Sequence, residues 1–118
     1  MPEEVTFDEA SGIARVRAWG VDTIEDWLES RDRIIELYES HGIRRVLVDA
    51  REQESGPSTG EIFEFGETWP HEIRVAILSG QRNREDQEFL ETVAFNRAKD
   101  FRIFDSESDA LTWLGLTP

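Results

Sequence analysis

The chain has 118 residues, a length typical of one domain, and carries 13 Lys and Arg against 26 Asp and Glu, for a net charge of −13. Such a surface repels polyphosphates, which argues against nucleic acids and anionic membranes as partners. The lack of cysteine excludes disulfides, thiolate metal sites and cysteine nucleophiles. The longest apolar stretches have the length of strands, so we expect no membrane span and no secretory leader. We therefore expect a single domain over 1–118 of a soluble, cytoplasmic protein.

The first elements in chain order form a predicted β-hairpin. Two short segments that suit strands, at 5–7 and 13–18, flank a turn that contains Gly12. Glycine adopts a positive φ at little cost, which suits a hairpin turn. We expect Gly20 to close the second strand.

A long helix is predicted next. Asp22 and Thr23 are residue types that favour the N-cap position, and apolar residues then recur near helical period. Gly42 stands where a left-handed C-cap is expected. The pattern predicts a helix between these signals.

The remaining elements alternate between strands and helices. Apolar, β-branched runs predict strands that are buried on both faces, and 3.6-residue periodicities predict the helices between them. The polar segment 51–59, which contains Gly56 and Pro57, is predicted to be a loop. We place strands at 43–49, 73–78 and 101–104, and helices at 60–69, at 85–98 and after a cap at 105–106.

This order of elements, ββαβαβαβα, predicts an α/β fold. Three consecutive strand–helix–strand units indicate right-handed crossovers between parallel strands. We expect a mixed, mostly parallel five-stranded sheet with helices packed against it and the first strand antiparallel at one edge.

The chain also resembles a known family. The opening hairpin, the capped helix, the strands RRVLVDAR and RVAILSG, and the ending RIFDSESDALTWLG are similar to the SpoIIAA-like branch of the STAS-type domains. The resemblance covers essentially the whole chain and is most specific in the tail from Phe104 to Leu114. It implies a non-enzymatic regulatory module that acts by binding a partner protein or by self-association as a homodimer.

The resemblance further implies a phosphorylatable Ser or Thr before the second helix. Ser58 and Thr59 occupy that place, and Pro57 stands where the family has an acidic residue. A phosphate there would gain from the free N–H groups of a helix N-terminus, whereas Glu61 and Glu64 would oppose it. The same residues suit an ordinary N-cap after a turn, which is the interpretation that we favour.

An acid and three aromatic residues are the candidates for binding. Asp49 is predicted at the carboxyl end of a central strand, where open α/β sheets bind ligands, although the interpretation that we favour is that it orders a local loop by accepting from nearby N–H groups. Phe63, Phe65 and Trp69 share one short helix, on which Phe63 and Phe65 point about 200° apart. One of these two would then line a partner-binding surface formed by 55–69 and the helix 85–98, unless the rings simply cover the sheet.

The sequence also leads to a second hypothesis of function and to the expectation that catalytic, metal and cofactor sites are absent. The SpoIIAA-like branch is related in shape to CRAL-TRIO lipid-transfer domains, which implies a pocket for an apolar small molecule or lipid between helix 60–69 and the sheet. His41 and His71 lack both metal-ligand spacing and an orienting partner, and no phosphate-binding or nucleophile motif occurs. We expect no catalytic residues, no metal and no cofactor.

Overall fold

The computed structural model describes residues 3–80, 84–96 and 99–116. The elements are β1 (Glu3–Asp8), β2 (Ile13–Val21), α1 (Ile24–His41), β3 (Arg45–Ser55), α2 (Thr59–Thr68), β4 (Arg74–Ser79), α3 (Arg84–Asn96), β5 (Phe101–Phe104) and α4 (Glu107–Trp113). The strands form one sheet in the order β1-β2-β3-β4-β5. β1 is antiparallel to β2, and all other neighbours are parallel. The predicted α/β architecture and its order of elements are confirmed.

Three helices cover one face of the sheet, and the fourth covers part of the other face. Trp27 of α1, Phe65 of α2 and Leu90 of α3 belong to one core cluster. Ala110 and Leu114, in and directly after α4, belong to a second cluster. Right-handed crossovers that advance in one direction across a sheet place their helices on the same face. The short α4 follows the last strand, so no crossover restricts it to that face.

β2 and β3 are longer than predicted. We expected Gly20 to close β2 and 51–59 to be a loop, but β3 continues to Ser55 beside β2. Gly20 has a φ of 63° and lies at a register shift between the two strands, so it forms an irregularity within β2 rather than its end. Beyond Ala50, the described part of β3 pairs with β2 and no longer with β4. Most side chains of 51–55 are exposed there, which explains why a strand carries polar residues.

The ends of α1 follow the predicted signals. Thr23 is the N-cap: its hydroxyl accepts a hydrogen bond from the Asp26 N–H, and the Asp26 carboxylate accepts one from the Thr23 N–H. Gly42 ends the helix in the left-handed conformation, with a φ of 71°, and its N–H donates to the Tyr38 carbonyl. Asp22, the other expected N-cap type, is buried before the helix instead.

α2 and α3 lie against each other over the sheet. α3 spans Arg84–Asn96, so residues 97 and 98 of the predicted helix 85–98 lie outside the described residues. A Cβ atom on Gly66 of α2 would lie 2.7 Å from Cγ1 of Val93 on α3. The two helices therefore approach closely because α2 has a glycine at this contact.

Candidate functional site

A cavity of about 60 Å³ lies between the sheet and the three helices α1, α2 and α3. Its walls are mostly apolar and include Ala18 of β2, Ile34 of α1, Ile77 of β4 and Leu90 of α3. These side chains are nearly fully buried in the main core cluster or beside it. The cavity is a half-open pocket in the core, and it lies partly under α2, the helix that the sequence placed over a pocket.

Four aromatic rings line the cavity, from α1, from α2 and the residue directly after it, and from β5. Trp27 on α1 meets Phe65 on α2 edge-to-face, with 5.1 Å between the ring centroids. Phe65 contacts Trp69, just after α2, at 5.7 Å, and Trp69 meets Phe101 of β5 edge-to-face at 5.2 Å. Such ring pairs are favourable beyond the area they bury, so they hold the wall of the cavity in place.

A chain of hydrogen-bonded polar groups runs along one side of the cavity. The Trp27 indole N–H donates to Oδ2 of Asp22 at 2.9 Å, and the Gln53 amide donates to the same oxygen at 3.0 Å. The Gln87 amide donates to Oε1 of Gln53 at 2.8 Å. All three polar residues are at most 3% exposed. The chain therefore connects the β2–α1 junction, β3 and α3 through the interior.

Asp22 is held in its protonated form. Its Oδ1 atom is buried and accepts no hydrogen bond from the described residues. Burial, then a hydrogen bond with Glu3 and the charge of Glu3, raise its pKa to about 9. A proton on Oδ1 satisfies that atom, because it can be donated to the Glu3 carboxylate. Asp22 and Glu3 therefore form a carboxyl–carboxylate pair that carries one negative charge at neutral pH.

Glu3 of this pair lines the cavity, together with Ser30 and Arg31 of α1. The Ser30 hydroxyl donates to Oε1 of Glu3, which links β1 to α1. The Arg31 guanidinium donates to Asp32 and to the Thr68 hydroxyl, both at 2.9 Å. The positive charge of Arg31 is thus paired with Asp32, whereas the negative charge of Glu3 has a hydroxyl and the Asp22 acid as neighbours.

The structure separates the three aromatic candidates. Phe65 is 7% exposed and Trp69 is 3% exposed, so both lie in the core and can contact only a ligand inside the cavity. The surface that we expected from 55–69 and α3 therefore lacks these two rings. Phe63 is 41% exposed on the outer side of α2. The expected divergence of Phe63 and Phe65 is confirmed.

Asp49 does not lie at the end of its strand, which corrects the sequence-based prediction. It sits within β3, and the strand extends to Ser55 because its last residues pair with β2. Its carboxylate accepts two hydrogen bonds from the Arg51 guanidinium, at 2.9 and 2.8 Å. These bonds hold the pKa of Asp49 below its usual value. The carboxylate is thus committed to a local ion pair.

Ser58 is the N-cap of α2, as we favoured. Its hydroxyl accepts a hydrogen bond from the Glu61 N–H at 3.3 Å, and the Glu61 carboxylate accepts one from the Ser58 N–H at 2.9 Å. Thr59 is the first residue of the helix, and both hydroxyl residues are exposed. A role for either residue as a phosphoacceptor stays a prediction that follows from the resemblance.

The two histidines and the other potential metal ligands form no cluster among the described residues. Within ranges 3–80, 84–96 and 99–116, no three His, Asp or Glu side chains are grouped as a metal site would require. His71 pairs with its neighbour Glu72 at 2.8 Å on the surface, and His41 contacts Ser40 at 2.7 Å. No helix among these residues is long and apolar enough to cross a membrane.

The comparisons with known proteins support the fold. No protein-family model and no curated protein matches the chain. Among solved structures, the chain is similar to the crystal structure of an uncharacterised protein of the DUF3478 family with a SpoIIAA-like fold, from Shewanella loihica PV-4. The TM-score is 0.67 at 22% identity, over 95% of this chain and 93% of that chain. The SpoIIAA-like fold that the sequence resemblance implied is therefore confirmed.

The sequence did not predict the polar residues that lie beside the cavity. Asp22 looked like a helix cap, Gln53 fell in a predicted loop, and nothing in the sequence pointed to Gln87 or Glu3. One signal was available for Asp22: Thr23, a second residue suited to the N-cap, follows it directly. Only one of two adjacent residues can be the N-cap of a helix. Thr23 takes that position, and Asp22 is buried instead.

Proposed function

We propose that this protein is a non-enzymatic binding module that holds a small apolar molecule in the cavity under α1, α2 and α3. The observation that carries the proposal is the cavity itself. Protein cores leave few voids larger than a water molecule, and one water occupies roughly 10–15 Å³ by this kind of measure. A cavity of about 60 Å³ is therefore several times larger than the usual packing defect.

The size of the cavity limits its occupant. A cavity of about 150 Å³ lined by apolar side chains stays dry and binds benzene. The present cavity is smaller, at about 60 Å³, so it suits a molecule of a few non-hydrogen atoms or the tip of a longer chain. A whole lipid would require α2 to move away from the sheet. We therefore propose a small molecule as the ligand rather than a complete lipid.

Indole N–H signals in NMR test this proposal. The chain has four Trp residues, of which Trp27 and Trp69 line the cavity and Trp19 and Trp113 do not. Titration with a neutral short-chain molecule, 1-propanol, should move the first two signals saturably and leave the other two unchanged. Equal, non-saturating movement of all four signals would contradict the proposal.

A pair of alanine variants controls that experiment. Ala18 lines the cavity, so Ala18→Leu should fill it and abolish the saturable response. Ala10 lies exposed in the turn between β1 and β2, so Ala10→Leu should keep the response. Unfolding curves of both variants show whether each still folds. Retention of binding in a folded Ala18→Leu variant would place the ligand elsewhere and contradict the proposal.

The second candidate function is protein binding through the outer face of α2. Phe63 is an aromatic side chain that is 41% exposed, and aromatic residues are enriched among those that dominate binding at protein interfaces. Phe65, two residues away, lines the cavity, so a ligand that moved α2 would also move Phe63. Proteins that the wild type captures from its native source should be lost with Phe63→Ala at an unchanged melting temperature. Identical captured sets would contradict this function.

A further inference from the structure

We infer that the protein has a second binding site, a cleft at the β5 edge of the sheet that takes a small organic carboxylate. The cleft has a volume of about 460 Å³, which lies within the usual range for small-molecule sites. Its walls come from α3, the segment that precedes β5, β5 itself and the last residue of α4. The inference is independent of the proposed function, because Phe101 is the one described residue that lines both this cleft and the interior cavity.

The acidic and hydroxyl groups of the cleft are already bound within the protein. Oε2 of Glu91 accepts a hydrogen bond from the Ile103 N–H at 2.8 Å. Oδ2 of Asp100 accepts one from Nε of Arg74, also at 2.8 Å. The Thr92 hydroxyl donates to a backbone carbonyl of its own helix at 3.0 Å. These groups hold the walls together and are therefore not the ones that a ligand would meet first.

Lys99 and Arg102 are the charged groups of the cleft that remain available to a ligand. Neither side chain has an ion pair, a hydrogen bond or a ring contact among the described residues. The other described Arg side chains each contact an acid, a carbonyl or a ring. Ammonium and guanidinium groups are donors without an acceptor, and a guanidinium binds a carboxylate through two parallel hydrogen bonds. The available groups of the cleft therefore suit a carboxylate.

The charges around the cleft match an anion with a single negative charge. The cleft is lined by two cationic and two anionic side chains, Lys99 and Arg102 against Glu91 and Asp100. Their charges cancel, and Arg74, which pairs with Asp100, adds one positive charge. A monoanion neutralises this surplus. A phosphate would bring more negative charge to a chain whose net charge is already −13, so we infer a carboxylate instead.

Two aromatic residues provide the apolar part of the cleft. Trp113 is partly exposed, and the Arg74 guanidinium lies over its ring, 4.5 Å from the centroid. The same guanidinium donates to the Trp113 carbonyl at 3.0 Å, which fixes the position of this residue. Phe101 is 8% exposed and lines the cleft from the side of the core. The ligand would therefore be a carboxylate with an aromatic or aliphatic body.

The edge of β5 favours a small molecule over an added strand. β5 is the last strand of the sheet that the structure describes, so its outer edge is open to pairing. An added strand would need the Ile103 N–H on that edge, and Glu91 already accepts a hydrogen bond from it. An extended peptide is thus a poorer fit than a small anion.

Phenylacetate and its neutral analogue phenylacetamide test this inference by NMR. The indole N–H signal of Trp113 should move saturably with phenylacetate, which should bind at least about tenfold more tightly than the amide, as charge-assisted hydrogen bonds are stronger than neutral ones. The Trp27 signal should stay in place, because Trp27 lines the interior cavity and not the cleft. Equal affinities for the two molecules, or no saturable movement of Trp113, would overturn the inference. The response of Trp27 to 1-propanol tests the proposed function separately.

Two charge-removing variants and a control locate the bound anion. Lys99→Gln and Arg102→Gln should each weaken phenylacetate by about threefold to tenfold and leave phenylacetamide nearly unchanged. Arg33→Gln removes the same charge from α1, where 52% of the Arg33 side chain is exposed, and should change neither affinity. Equal weakening by all three variants would mean that only the net charge attracts the anion, and it would overturn the inference. Urea unfolding curves of the three variants show that each one folds.

Discussion

Asp22 binds a proton more tightly in the folded chain than in the unfolded chain. Burial and the neighbouring Glu3 raise its pKa from 3.8 to about 9. Between these values the folded state holds more protons than the unfolded state, so the free energy of unfolding falls as pH rises. The stability that the protonated Asp22 contributes is complete below pH 3.8 and is lost as pH approaches about 9.

An Asp22→Asn variant should remove this pH dependence. The amide oxygen can accept from Trp27 and Gln53, and the amide nitrogen can donate to Glu3, as the protonated acid does. The variant should therefore gain stability relative to the wild type by up to about 1.4 kcal/mol per pH unit between about pH 5 and pH 8. Urea unfolding at several pH values measures the difference.

Asp32→Asn is the matched control for that prediction. Asp32 is on α1 with 67% of its side chain exposed, so its substitution should have only a small effect on stability. If Asp22→Asn instead cost the same stability at every pH, Asp22 would be ionised in the folded chain. The proton assigned to Oδ1 would then be wrong.

At the scale of single elements, α2 has one face in the core and one in solvent. Phe65→Ala should destabilise the protein by about 3–5 kcal/mol, because it removes a ring from the core. Phe63→Ala should change stability by no more than about 0.5 kcal/mol, because that ring is 41% exposed. Chemical unfolding of both variants checks the orientation of α2, and similar losses would contradict it.

The contact between α2 and α3 gives a second prediction for this element. Gly66→Ala should destabilise by about 1–3 kcal/mol, since its Cβ would overlap Val93 and force the helices apart. Gly60→Ala, in the first turn of α2, meets open space and should stabilise by about 0.4–1 kcal/mol through the unfolded chain. Thermal unfolding of the two variants gives the comparison. A stabilising Gly66→Ala would mean that α2 and α3 lie further apart than described.

An element was predictable where its burial produces a local pattern in the sequence, and unpredictable where its burial depends on pairing with a distant strand. β4 is apolar on both faces, and Gly42 marks the end of α1, so local patterns were sufficient there. The last residues of β3 are polar because they lie beyond β4, at a sheet margin that no local pattern reveals. The extension of β3 therefore became visible only with the register against β2.

At the scale of the whole molecule, the fold was predictable and the site was predictable only in part. The order of strands and helices determines the parallel sheet and places three helices over one face. Phe65 and Trp69 were candidates because they are aromatic, and both do line the cavity. The polar chain joins Asp22, Gln53 and Gln87 from the β2–α1 junction, β3 and α3, and Glu3 of β1 pairs with Asp22. Polar residues scattered over such distances resemble surface residues until the fold brings them together.

The most direct test of the account is a crystal structure of the protein under xenon pressure. Xenon enters dry apolar cavities without requiring hydrogen bonds, so it reports the space independently of any ligand chemistry. The account predicts a xenon site between α1, α2 and the sheet, in contact with Trp27, Phe65 and Leu90. A core filled by these side chains, with no xenon beneath the three helices, would contradict it.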